Sequence, residues 1–291
     1  QHPHHPSQPR HDDLASRGQA VMLSEIAPFE LSTPVAIRAL EWLFAFSAGI
    51  QTLEYWRMRP AMQGDGLWIW SIQRQDIPNA WMRRCLDALF APDVFSALLA
   101  LRLLAVFSLA WQGSNLVNIG FLFISNLAVL VRWRGAFNGG SDFMTLVVLT
   151  GLLMSQIVSQ FAGPALGWRA CFWYVTIQSL SSYFLSGSVK LLRPEWRNGS
   201  AMTIFLNAAI HGPLSHGHWL RKPWLAAMGS WGFIVWECMA PLALLDTRLA
   251  GLFCLIAAVF HFLVFWFFGL NRFFWAWMAT FPAILWCAGQ I

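Results

Sequence analysis

The chain has 291 residues, of which 57% are hydrophobic, 15% aromatic and only 11% charged. A soluble domain carries about a quarter of its residues as charges, and a chain this apolar cannot hide its Trp and Phe in a core of this size, so an ordinary soluble globular domain is excluded. The net charge of +5 comes from 19 Lys and Arg against 14 Asp and Glu; these basic residues fall mostly in short connections between apolar stretches, where they orient a membrane protein rather than bind nucleic acid.

In chain order, residues 1–30 form a His- and Pro-rich segment that reads as a disordered tail, and residues 31–291 read as one membrane domain. A spanning helix needs about 20 mostly apolar residues. That criterion gives an all-α, polytopic transmembrane bundle of about eight spans. They are Pro34 to Tyr55, Phe90 to Trp111, Asn115 to Val131, Asp142 to Ala162, Trp168 to Leu191, Leu225 to Leu245, Leu249 to Phe268 and Phe273 to Ala288. The stretch from Arg57 to Leu89, with Trp68, Trp70 and Trp81, reads as an interfacial amphipathic piece. Within the stretch from Arg193 to Trp224, Ser200 to Ile210 reads as a short helix with Ser200 as its cap. The chain shows no internal repeat, which argues against a transporter.

Eight spans place the first, third and fifth connections on one side. These hold Arg57, Arg59, Arg74, Arg83 and Arg84, then Arg132 and Arg134, then Arg193, Arg197, Arg221 and Lys222. The positive-inside rule assigns that side to the cytoplasm. Of five cysteines, Cys171, Cys238, Cys254 and Cys287 lie in apolar stretches without C-x-x-C spacing and read as packing residues.

A charge at the bilayer centre costs at least ~2.5 kcal/mol on insertion scales, so it needs a partner or a wet cavity. Lys190, Glu237 and His261 are the three residues that raise this question, and together they suggest a shared polar cavity. Each also has a plainer reading. Lys190 can snorkel to the interface, His261 can be hydrogen-bonded packing, and Glu237 can pair with Arg102 or Arg169. His211, His216 and His218 invite a metal, but Gly212 and Pro213 break the helical i, i+4 spacing that would favour one; an interfacial loop is preferred and no metal site is assigned. Asn138 to Asp142 reads either as an anion nest or, preferably, as a tight turn with Asp142 capping the next helix.

The run Tyr183-Phe184-Leu185-Ser186-Gly187-Ser188-Val189-Lys190-Leu191, followed by Pro194-Glu195-Trp196-Arg197-Asn198-Gly199-Ser200-Ala201-Met202, resembles the central motif of the vitamin K-dependent gamma-glutamyl carboxylases and of the bacterial HTTM membrane proteins. The resemblance runs over roughly Arg102 to Pro282. It implies that Lys190 is a base that deprotonates a hydroquinone, that His261 is a second proton-handling group, and that Glu237 before Ala240-Pro241-Leu242 belongs to the same site. Trp196, Arg197, Asn138 and Asp142 are the further candidate ligand contacts, and Trp173, Trp236 and Trp266 join Trp196 as candidate walls of a quinone slot. The implied cofactor is a quinone or hydroquinone and the implied location a bacterial inner membrane. Two departures limit the likeness. Where the carboxylase keeps an Asn-His-Ser-Tyr-like stretch, this chain has Asn138-Gly139-Gly140-Ser141-Asp142-Phe143, without the His. The given sequence also lacks the large extramembrane domain that presents Glu, so carboxylation of a protein is not implied.

The leading expectation is a membrane enzyme acting on a quinol or another lipophilic substrate with Lys190 as base. The alternative is a non-catalytic membrane subunit, or a factor in maturation or export of small peptides, packed against other membrane proteins.

Overall fold

The computed structural model describes residues 31–62, 66, 68–134, 138–208, 210 and 213–291. The expected N-terminal tail and His211 lie outside these. Among the described residues every regular element is helical. The helices of eight residues or more are α1 (Thr33–Arg57), α2 (Ala80–Leu89), α3 (Pro92–Gln112), α4 (Leu116–Arg132), α5 (Asp142–Ala162), α6 (Pro164–Leu192), α7 (Ser200–Asn207), α8 (Pro223–Cys238), α9 (Thr247–Phe268), α10 (Asn271–Met278) and α11 (Phe281–Ala288). Three of them, α3, α5 and α9, are long and apolar enough to cross a membrane, and α4 is a shorter apolar helix.

Prolines explain where the apolar stretches break. Proline has no N–H to donate four residues back. At Pro241 the missing donor would have met the Glu237 carbonyl, and α8 gives way to a 3₁₀ turn over Ala240–Leu244. At Pro282 it would have met Met278, and the expected helix from Phe273 to Ala288 divides into α10 and α11. The cap of α7 is Gly199, not Ser200. Gly199 is left-handed at φ 79°, and a Cβ there would lie 2.5 Å from the Ala227 nitrogen. A residue that must combine positive φ with so close a backbone approach has to be Gly.

Large apolar side chains are exposed, and several polar and ionisable ones are buried. Outward faces carry large apolar side chains, such as Leu104, Phe107 and Trp111 on α3, with Trp111 78% exposed. Inside lie Gln51, Arg102, Asn126, Asp142, Glu237 and His261, each at most 3% exposed. The apolar core between them has two main parts. One joins Leu40, Phe44, Leu109, Leu149 and Phe172 with Cys287; the other joins Met144, Leu180, Tyr183 and Phe253 with Trp277.

Arg38, Glu41 and Glu54 in α1 find partners. Arg38 donates to Glu41 (2.5 Å) and to the Ala110 carbonyl (2.6 Å), while Glu41 accepts from the Ser114 backbone (2.7 Å). Glu54 meets Arg272 at 3.0 Å. The expected interfacial piece contains a one-turn helix over Trp70–Gln73 and then α2. Arg74 and Trp70 both donate to Asp87, and these bonds hold its carboxyl down at about 2, so the clasp stays charged at any physiological pH.

Candidate functional site

Tyr183, Ser186 and Lys190 are spaced i, i+3, i+7 on α6 and therefore share one face. Opposite them stands the C-terminal end of α8. Lys190 Nζ lies 2.6 Å from Ser186 Oγ, and 2.7 and 2.6 Å from the two oxygens of Glu237. Ser186 also donates to Glu237 at 3.3 Å. The side chains are 15% and 3% exposed respectively, so the ion pair is largely out of water. The Trp196 ring closes the exposed side, its centroid 5.1 Å from Nζ. It is positioned by the backbone, because the Trp196 carbonyl accepts from Ser230.

Gly187 makes this pairing geometrically accessible. A Cβ at that position would sit 2.7 Å from the Cys238 nitrogen and 2.8 Å from Glu237 Cβ. Gly187→Ala therefore has to push α8 away from α6, and overpacking of this kind costs about 1–3 kcal/mol. The expected outcome is a lower unfolding midpoint in detergent, with a weakened Lys190–Glu237 pair; an unchanged midpoint would mean that the helices are not in this contact.

One turn earlier on α6, the Tyr183 hydroxyl and His261 Nε2 share a hydrogen bond of 2.6 Å. Both side chains are buried. His261 stacks on Trp277 (centroids 4.9 Å) and meets Phe273 edge-on at 4.9 Å, while Tyr183 contacts Trp236, Phe253 and Trp277. His261 Nδ1, Trp236 Nε1 and Trp277 Nε1 are all buried without a hydrogen-bond partner among the described residues. The cluster thus combines an apolar body with polar atoms that have no internal acceptor or donor.

Asn138 and Asp142 form a separate group. Asn138 Oδ1 accepts from the backbones of Gly140 (2.9 Å) and Ser141 (3.2 Å), and the Asn138 N–H donates to Asp142 (2.8 Å). This is the tight-turn arrangement. Asp142 is the first residue of α5 rather than its cap, and it also accepts from Gln51 (3.1 Å) and Arg272 (3.3 Å). The Phe273 ring that touches His261 also packs against Gly140, so an aromatic side chain connects the two groups.

Lys190, Glu237, Trp196 and His261 therefore converge along α6, whereas Asn138 and Asp142 sit in the neighbouring network and Arg197 is exposed. Of the four tryptophans expected to wall a slot, Trp196 and Trp236 lie at the site. Trp173 packs in the other part of the core, and Trp266 stacks with Phe262 on an exposed face. Pairing of Glu237 with Arg102 or Arg169 is corrected: its partner is Lys190. Arg102 is instead surrounded by Thr52, Leu122, Ser125, Gln51 and Asn126. Among the described residues no group of three or more His, Cys, Asp or Glu is placed to hold a metal ion.

Tyr183, Ser186, Phe273 and Trp277 are participants to which the sequence reading assigned no role. The spacing of Tyr183 and Ser186 from Lys190 was a signal for the first two; nothing local marks the others. No protein-family model, curated protein or solved structure significantly matches the chain.

The chemistry available at the site is proton transfer. Nζ directs its three N–H groups at three acceptors, so Lys190 presents no lone pair while it stays an ammonium. Moving one proton across 2.6–2.7 Å to Glu237 converts the pair to an amine and a carboxylic acid, and the amine can then act as a base.

Proposed function

We propose that the protein is a multi-pass integral membrane protein of the carboxylase-like HTTM kind, with about eight passes. In this reading α1, α3, α4, α5, α6, α8 with its 3₁₀ extension, α9 and the α10–α11 pair each make one pass, in a bacterial inner membrane. Support comes from the exposed apolar side chains together with the buried polar and ionisable ones, an arrangement that suits a lipid solvent. Within that membrane domain, Lys190 is the base toward the hydroxyl of a quinol or similar lipophilic substrate. Lys190 hands its proton to Glu237, then takes the proton of the substrate O–H, leaving an ammonium, a carboxylic acid and an oxyanion. His261 and Tyr183 form the second proton-handling pair along the same helix face. The observation that carries this reading is the convergence of Tyr183, Ser186 and Lys190 on Glu237 and His261.

Lys190→Arg is the discriminating variant. Arginine keeps the charge and the ion pair but stays protonated, so it cannot serve as a base. Solvent extraction and mass spectrometry of the wild-type protein should recover a bound quinone. With that quinone, reduced, as substrate, Lys190→Arg should lose at least ~10²-fold in turnover, the lower range for general-base catalysis, at an unchanged unfolding midpoint. Full turnover in the variant would overturn the assignment.

A second reading is favoured by one observation, the saturation of all three Nζ donors. In that reading the pair is a structural clasp and the protein a subunit or peptide-maturation factor. Stoichiometric copurification of partner chains, unaffected by Lys190→Arg, is the result that would select it.

A further inference from the structure

A cavity of about 20 Å³ lies between the ends of α1, α3 and α4, lined by Arg59, Phe90, Phe95, Ser96 and Arg132 among others. Among the described residues, no carboxylate lines it. Arg132 is 2% exposed; its Nη1 donates to Gln73 at 2.8 Å, and its Nε has no hydrogen-bond partner among the described residues. Arg59 donates to the Trp56 carbonyl (3.0 Å) and to Ser96 Oγ (2.9 Å), with its guanidinium 3.9 Å from the Trp56 ring centroid. Arg38, Arg74, Arg134 and Arg272 each meet a carboxylate, but among the described residues neither Arg59 nor Arg132 does. Two guanidinium groups facing one small void, one of them buried with an N–H unused, make an incomplete ion pair, and uncompensated buried charge is strongly disfavoured.

The missing member is an anion. A void of this volume admits about one oxygen-sized group, so a tetrahedral anion would enter by one oxygen and leave the rest outside. Outside, and sharing Arg59, is an open groove lined by Leu53, Trp56, Arg57, Arg59 and Pro60. It offers cationic, aromatic and aliphatic surface side by side, the sequence of chemistries met along a phospholipid from headgroup to acyl chain. This end of the bundle also carries Arg57, Arg74, Arg83, Arg84 and Arg134 in its connections, as expected of a face turned toward an anionic leaflet. We infer that the Arg59–Arg132 cavity is a binding site for the phosphate of an anionic membrane lipid. The inference rests on the membrane reading above but not on the chemistry of Lys190.

The test is native mass spectrometry of the full chain in detergent, titrated with phosphatidylglycerol and, separately, with phosphatidylcholine of the same acyl chains. Phosphatidylglycerol should bind at least ~10-fold tighter, from two arginines at about fivefold each or more. Arg59→Gln should lower that affinity about fivefold, whereas Arg84→Gln, an exposed residue in the same basic region, should leave it unchanged. Arg59→Gln decides the matter without the buried Arg132. Equal binding of the two lipids, or wild-type affinity in Arg59→Gln, would overturn the site. Displacement of phosphatidylglycerol by inorganic phosphate at millimolar concentration would make it a free-anion site and sink the lipid assignment. Failure of the membrane reading itself would look different, because the chain would then be extracted from membranes without detergent.

Discussion

Replacing Lys190 by Met is expected to cost about 3–5 kcal/mol of stability, because it leaves Glu237 as a buried carboxylate without its cation. The effect should be read as a fall in the denaturation midpoint of the detergent-solubilised protein. The partner experiment is the double variant Lys190→Met, Glu237→Leu. Replacing both members of a buried pair by apolar groups is often neutral or better, so the double variant should recover most of the loss. If the single substitution melts like the wild type, the pair is not buried as described. If the double variant is as unstable as the single, the damage comes from packing around Gly187 and not from the orphaned charge. This is also why activity is tested with Lys190→Arg: truncation at Lys190 mixes loss of a base with loss of fold.

An effect of similar size is expected at Arg102. Its guanidinium is fully buried and donates to Thr52, Leu122, Ser125, Gln51 and Asn126, drawing α1, α3 and α4 together. None of these acceptors is a carboxylate; Gln51 links the guanidinium to one, because its amide donates to Asp142. Arg102→Leu would leave several buried acceptors without donors, at about 1–3 kcal/mol each, for a total of about 3–5 kcal/mol after local relaxation. Arg102→Lys keeps the charge but has three donors on one compact head instead of a planar fork. It should fall between wild type and Arg102→Leu in a thermal melt. Equal melting of all three proteins would show that the buried network contributes nothing.

The helices were readable in the sequence because apolar length is a local property. Asp142–Ala162 emerges with the bounds that hydropathy gives it, and α1, α3, α4 and α9 are displaced by no more than two residues at either end. The divided α10–α11 segment was not readable that way, although Pro282 stood in the sequence as its cause. Within the site, Lys190, Glu237 and His261 were visible as polar residues in apolar surroundings. Their partners were less so. Choosing Lys190 over Arg102 for Glu237 depends on how α6 meets α8, and that meeting is set by Gly187, whose signal is only the absence of a side chain. Arg102 finds its acceptors on two other helices, α1 and α4, a tertiary fact with no local trace. The burial of Tyr183 against His261 is of the same kind, since 78 residues separate them.

The polar chain that runs from Arg102 through Gln51 and Asp142 to Arg272 makes distant parts of the sequence depend on one another. Arg272 meets Tyr55 and Glu54, and Asn271 also reaches Glu54, across a separation of 217 residues in the Asn271 and Tyr55 contacts. α1 therefore holds an acid, Glu54, whose counter-ion comes from α10, far later in the chain. Until α10 is in place, Glu54 and Asp142 lack the Arg272 guanidinium that meets both. The latch between α1 and α10 closes only when both segments are present, and a chain cut before Asn271 would leave both acids without that cation.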